Sequence, residues 1–253
     1  MPHTTAIILG ASGSVGQALM DAVVRSGRFG PVILLARRPG AAGPGGGGAA
    51  SVMEHLVPDM QPQALEQAVV DALAGCAGPA VGFSVLGVGA GTAALTIDQH
   101  RAVDVELNAA FARGLKRSNA VQHLVFMSAV GADPQARTTG SGAAGMQRYA
   151  RVKGEAEQAV KAQGPQVVSI LRPSVIIGSR HTGGLIARAL ALMAPVLPSR
   201  LRPIRTTEIA AAMVALALQP PAFSAVYHHA EMRALAPAQG GPALQPTRST
   251  RGQ

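Results

Sequence analysis

Two side chains at helical spacing give the first chemical hint. In "QRYARVKGEAEQAV", residues 147 to 160, Tyr149 precedes Lys153 by four positions, and positions i and i+4 share one face of a helix. A phenol titrates near pH 10, so at neutral pH it is a weak acid and a weaker base. An ammonium one turn away stabilises the phenolate and brings the phenol toward useful acidity. Such a pair could give a proton to a carbonyl oxygen or take one from an alcohol. The same spacing also describes an ordinary charged helix face, so the surroundings decide. Ser128 closes the apolar run "VQHLVFMS" and could hydrogen-bond a substrate oxygen. A serine at a strand end is equally a cap or turn residue.

A second constellation lies near the N-terminus. "GASGSVG" sets Gly10, Gly13 and Gly16 between an apolar strand-like run and a helical pattern. The dinucleotide fingerprint G-x-G-x-x-G is not met, because Ser12 and Val15 hold its second and third glycine positions; the spacing is G-x-x-G-x-x-G. The physical demands are similar: a tight turn at Gly10, close backbone approach to a pyrophosphate at Gly13, and helix-to-strand packing at Gly16. The helix that follows offers free N–H groups to phosphate. The next strand ends "LLARRPG". An NAD site commonly places an acidic residue there for the ribose 2′-hydroxyl. Here Ala36 is followed by Arg37 and Arg38, and guanidinium groups suit a 2′-phosphate, which favours NADP(H) over NAD(H). Asp59 could accept from the adenine amine, or serve as a turn residue. His181, His228 and His229 have no cysteine or acidic company at ligand spacing, so no metal is assigned.

The elements that must position these residues alternate along the chain. Apolar runs "TAIILG", "PVILLA", "SVMEHLV", "AVGFSVLG", "VQHLVFMS" and "QVVSILRP" are separated by helical patterns, including a long one, "IDQHRAVDVELNAAFARGLKRSN". Strands apolar on both faces and alternating with helices predict an α/β, Rossmann-like doubly wound parallel sheet with helices on both faces. After residue 178 the alternation loosens into a small helical region. "GGLIARALALMAPVLP" reads as a helix ended by proline, "TTEIAAAMVALALQ" as a helix with a threonine cap and Glu208 in its first turn, and "AVYHHA" as a late strand. The expected division is one NAD(P)-binding domain over 1–230, with 178–230 on the substrate side, and a disordered tail over 231–253 rich in Pro, Gly and Gln. Residues 37 to 50, "RRPGAAGPGGGGAA", read as a flexible surface loop.

Composition narrows the setting. A chain of 253 residues that is 48% hydrophobic and 14% charged can bury a sizeable core and is not a disordered polymer. No apolar run reaches the roughly 20 residues of a membrane span. An apolar strand begins almost at residue 1, leaving no room for a signal peptide, and the single cysteine, Cys76, suits a reducing compartment; the cytoplasm is expected. The net charge of +9 is spread as isolated arginines rather than a basic run, which argues against a nucleic-acid partner.

Taken together, "GASGSVG", "LLARR", "VGFSVLGVG", "MSAVGAD", "YARVKGEAE" and "ILRPSVIIG" resemble the short-chain dehydrogenase/reductase superfamily over roughly residues 5 to 220. Within it, the chain resembles an atypical member near the Tat-interacting-protein oxidoreductase family. The resemblance implies that Gly10, Ala11, Ser12, Gly13, Ser14, Val15 and Gly16 form the phosphate loop, and that Arg37 and Arg38 bind the 2′-phosphate. It implies that Leu86 and Gly87 lie beside the adenosine ribose, that Lys153 holds the nicotinamide ribose, and that Arg172, Pro173 and Val175 flank the nicotinamide. Ser128, Tyr149 and Lys153 would be catalytic. Two departures stand out. Ser128 and Tyr149 are 21 positions apart, longer than the family's interval, because of an insert over 133–147 where substrate would enter. The family's helix-four asparagine has no clear counterpart, Asp104 and Asn108 being nearest. The expectation is an NADP(H)-dependent reductase acting on a small carbonyl or quinone-like acceptor; the alternative is a non-catalytic NADP(H)-binding regulatory or assembly protein.

Overall fold

A computed structural model of the protein describes residues 4–41, 51–76, 78–138, 144–178 and 198–236. Seven strands form one parallel sheet: β1 (Thr4–Leu9), β2 (Phe29–Ala36), β3 (Val52–Leu56), β4 (Ala80–Ser84), β5 (Val121–Met127), β6 (Val167–Leu171) and β9 (Ala225–Tyr227). Their order is β3-β2-β1-β4-β5-β6-β9, and a small second sheet joins β7 (Ile176–Ile177) to β8 (Ile204–Arg205) in parallel. The central strands are apolar on both faces because both are covered. Ile7, Leu9, Ile33 and Leu35 face α2 (Pro62–Leu73), α4 (Asn108–Arg117) and α5 (Ala144–Gln163). Ala6, Ile8, Val32 and Leu34 face α1 (Ser14–Ser26) and α6 (Thr206–Leu218). This is the expected doubly wound α/β architecture.

Chain order reverses between β1 and β4, the crevice where ligands of such sheets bind. There the glycine loop meets the end of β4. Val85 N donates to Leu9 O at 3.0 Å, and a Cβ added to Gly10 would stand 2.7 Å from Leu86 N.

Four local details differ from the sequence expectation. The long helix before β5 is not uniform: α3 (Ile97–Arg101) opens on a Thr96–Gln99 capping box, a π-helical segment spans Ala102–Leu107, and α4 follows. Periodicity alone does not reveal a π turn, which adds one residue without changing the apolar pattern much. The third strand stops at Leu56, so Asp59 lies three residues beyond it and exposed. The N-cap of α6 is Arg205 rather than a threonine, with Glu208 accepting from Arg205 N at 2.8 Å; Thr206 is already helical and buried. Finally, α7 (His229–Leu235) carries regular structure into the segment expected to be a tail, because Met232 finds a fully buried seat against the α1 and α6 side of the core. All but the last residue of the helix expected over 183–198, most of the 37–50 loop and the centre of the insert lie outside the described residues.

Candidate active site

The glycine loop has two glycines that the fold itself requires and one that it does not. Gly10 has φ +90°, a conformation side chains rarely adopt, and a Cβ on Gly16 would lie 2.1 Å from Gly10 O. Gly13 is different: its φ is −75°, and the nearest atom to an added Cβ is 3.5 Å away. No contact within the described protein demands a glycine there, whereas a phosphate approaching the backbone would. Gly13 is also the N-cap of α1, with no side-chain cap and no acidic residue in the first turn, so the positive end of the helix faces outward for an anion. Gln17 braces the loop by donating to Ala11 O and Ala41 O, both at 2.8 Å.

Arg37 and Arg38 follow β2, are exposed, and have neither a hydrogen bond nor an ion-pair partner among the described residues. Leu86 and Gly87 leave β4 beside the loop. A Cβ on Gly87 would stand 3.0 Å from both Asp104 Oδ1 and Lys153 Nζ, so this glycine roofs a buried ion pair. The uncapped helix end and the open Gly13 position fit the pyrophosphate of a dinucleotide.

On α5, Tyr149, Lys153 and Glu157 recur every four residues along one stripe. Lys153 is 3% exposed, and its Nζ lies 2.6 Å from Asp104 Oδ1 and 5.7 Å from the centre of the Tyr149 ring. Burial disfavours the ammonium, but Tyr149 and Asp104 outweigh it and hold the Lys153 pKa above its ordinary value. Asp104 sits on the π segment, fully buried. Burial opposes its ionisation; Lys153, His100 and the Val88 N–H, 2.9 Å from Oδ2, prevail and hold its carboxyl at about 2. Of the two helix-four candidates, then, Asp104 pairs with the lysine. Asn108 instead donates to Asp104 O at 2.9 Å and accepts from Ser84 Oγ at 2.5 Å. His100, wholly buried, stacks on Tyr149 with ring centres 5.8 Å apart.

Ser128 stands elsewhere in the cluster. Its hydroxyl, 3% exposed, donates to Glu157 Oε1 at 2.6 Å, and Arg172 clamps the same carboxylate through Nε at 2.8 Å and an Nη at 2.6 Å. Tyr149 is half-buried and lines an open cleft of about 850 Å³ with Ala129, Val130, Pro173 and Ser174. Ser128 is not on that wall. The two ends of the insert are: Asp133, Ala136 and Arg137 on one side, Met146 and Gln147 on the other. Val175 follows Pro173, and its N-terminal neighbours are tied to the β5 loop through Val130 N to Pro173 O at 2.8 Å. Among the described residues, no group of three histidine, cysteine or acidic side chains could hold a metal. None of the helices there is long and apolar enough to cross a membrane.

Reading from the sequence missed His100 and Glu157. Both carry a faint signal. His100, Asp104 and Asn108 repeat every four residues, as do Tyr149, Lys153 and Glu157, and a stripe of polar residues at one helical position invites a partner stripe.

A family model described as NAD(P)H-binding matches residues 10–220. No curated protein matches the sequence. Among solved structures, the chain is similar to a short-chain dehydrogenase/reductase from Serratia marcescens, 18% identical, with a TM-score of 0.62 over 90% of this chain and 99% of that one. It is similar to the L-sorbose reductase of Gluconobacter frateurii complexed with NADPH and L-sorbose, 15% identical, TM-score 0.63, over 92% and 98%. It is also similar to an anaerobilin reductase from Escherichia coli, 17% identical, TM-score 0.58, over 88% and 95%. At these identities the likeness is one of fold.

Proposed function

The chain belongs to the NAD(P)H-binding family, and from that premise we propose that it is an NADP(H)-dependent oxidoreductase of the atypical short-chain type, reducing a small carbonyl or quinone-like acceptor. The observation that carries this reading is the Tyr149 phenol, which faces an 850 Å³ cleft while Lys153 and its counter-ion Asp104 stand buried behind it. Gly10 to Gly16 and the α1 N-terminus hold the pyrophosphate, Arg37 and Arg38 the 2′-phosphate, and Asp59, Leu86 and Gly87 border the adenosine half. Pro173 and Val175 border the nicotinamide. The bound cofactor supplies a hydride.

The protein's own residues supply the rest. Tyr149 gives its phenolic proton to the acceptor oxygen and takes one back from the cleft. Lys153 stays charged because Asp104 offsets its burial, and that charge stabilises the phenolate left behind. Ser128 has its hydrogen committed to Glu157 and does not line the cleft, so it offers the acceptor oxygen no donor unless Glu157 releases it. This departs from the donor role that the family resemblance implies.

That commitment of Ser128 also favours a second reading, in which the chain binds NADP(H) as an effector without turnover. The two readings separate in one experiment: calorimetric binding of NADPH and NADH, followed by NADPH oxidation across aldehydes, ketones and quinones. The first reading expects tight NADPH binding, weakened by at least about tenfold in Arg37→Ala/Arg38→Ala, or roughly 1.4 kcal/mol, together with turnover. Binding without turnover on the whole panel supports the second.

A further inference from the structure

His100 is an odd residue to bury. It is 0% exposed, and neither Nδ1 nor Nε2 has a hydrogen-bond partner among the described residues. Its Nε2 is 3.7 Å from Asp104 Oδ2, longer than a hydrogen bond, though near enough to favour that carboxylate. Buried polar groups are ordinarily satisfied, so each exception calls for an explanation. The ring face supplies one. The imidazole lies nearly parallel to the Tyr149 ring, with 19° between planes and 5.8 Å between centres, the range of an offset stack.

Two helices meet at this stack. His100, one residue before the end of α3, is anchored by the Thr96–Gln99 capping box and by its own N–H, which donates to Thr96 O at 3.0 Å. The π segment that follows sets Asp104 against Lys153. Arg101, next to His100, ties the same helix to α5 through two hydrogen bonds to Glu155, at 2.7 and 2.8 Å. Tyr149 therefore lines the cleft with the His100 ring stacked on it at 5.8 Å and the Lys153 cation 5.7 Å from its ring centre.

We infer that His100 is a positioning residue that holds the Tyr149 ring in register with Lys153 through its ring face, not through a hydrogen bond. This rests on the reading of Tyr149 as the proton donor. The charged and titratable groups around that phenol are Lys153 on α5, His100 and Asp104 on the facing helix, and Asp133, Arg137 and Arg148 around the cleft. None but His100 packs a ring face on it.

The test uses a property of the whole chain: it has two tyrosines and no tryptophan. The near-ultraviolet circular dichroism of the protein minus that of Tyr149→Phe isolates the Tyr149 ring. Each His100 variant is measured with and without Tyr149→Phe. The Tyr149 signal is expected to persist in His100→Phe and to collapse in His100→Asn. With NADPH and phenanthrenequinone as the probe pair, His100→Asn is expected to lose about tenfold or more in kcat, as a misplaced reacting group does. Its NADPH affinity should stay within about twofold, and His100→Phe should recover most of the rate. An unchanged Tyr149 signal in His100→Asn overturns the inference. So does an equal loss in His100→Phe, which would assign the effect to imidazole polarity. If Tyr149→Phe itself turns over at full rate, the donor reading fails, while the dichroism still decides whether His100 orders the ring.

Discussion

At the scale of single residues, Lys153 shows how a buried charge is kept. Burial alone would drive it toward the neutral amine, and Asp104, 2.6 Å away, prevents this. Removing one partner of such a pair leaves an uncompensated buried charge, which costs roughly 3–5 kcal/mol. Asp104→Asn is therefore expected to lower the urea midpoint substantially; a variant as stable as the parent would show that the pair is not needed. The pH dependence has a definite sign. Lys153 is raised in the folded state, so its contribution is full below the ordinary lysine value of 10.5 and fades as pH climbs through the higher folded value. Without Asp104 that fading moves to lower pH, and an unfolding series in alkaline buffers reads it. Asp104 acts oppositely: its carboxyl is depressed from 3.8 to about 2, so about 2 kcal/mol of stability present above 3.8 is lost as pH falls toward 2. Tyr149 and Lys153 were legible in the sequence because their relation is local, one turn of one helix. Asp104 stood only as one of two helix-four candidates and His100 was not found, because their partners come from another helix and no local pattern records which helices meet. Ser128 was found at the strand end where it was sought. Its partner Glu157 was not foreseen, and that partner changes what the hydroxyl can offer.

At the scale of elements, the glycine loop separates what the fold needs from what the ligand needs. Gly16→Ala would place a Cβ 2.1 Å from Gly10 O, an overpacking that costs typically 1–3 kcal/mol or more, visible as a lower Tm. Gly13→Ala has space for its methyl group, so its Tm should match the parent while NADPH binding weakens at least about tenfold, near 1.4 kcal/mol. Equal NADPH affinity in the Gly13 variant would mean that the phosphate does not approach there. The strands of the main sheet were readable because burial on both faces writes continuous apolar runs, as in "AIIL" and "VILLA". The π segment was not, because His100, Asp104 and Leu107 stay inward across it just as they would on an uninterrupted helix. The cap of α6 was misplaced by one residue because Glu208 reaches back to Arg205 N and makes Arg205 the boundary.

For the molecule as a whole, the sheet carries its own acid sensitivity apart from the site. His123 on β5 is 5% exposed, its Nε2 lies 2.9 Å from Ser169 Oγ on β6, and burial lowers its pKa from 6.5 to about 4. Below 6.5 the unfolded chain takes up a proton that the folded chain refuses, so stability should fall between pH 6.5 and 4 by roughly 3 kcal/mol. His123→Gln should flatten that slope in a series of urea unfolding curves; an unchanged slope would place the sensitivity elsewhere. Sheet order, the crevice between β1 and β4, and the cleft at Tyr149 put the glycine loop, Arg37 and Arg38, and Tyr149 on one side of the molecule. The proton-donor role of Tyr149 is decided by NADPH oxidation in the parent protein and in Tyr149→Phe, with NADPH affinity measured on the same samples. A loss of about 10²–10⁴ in kcat with affinity unchanged is expected; full turnover in Tyr149→Phe would rule the role out.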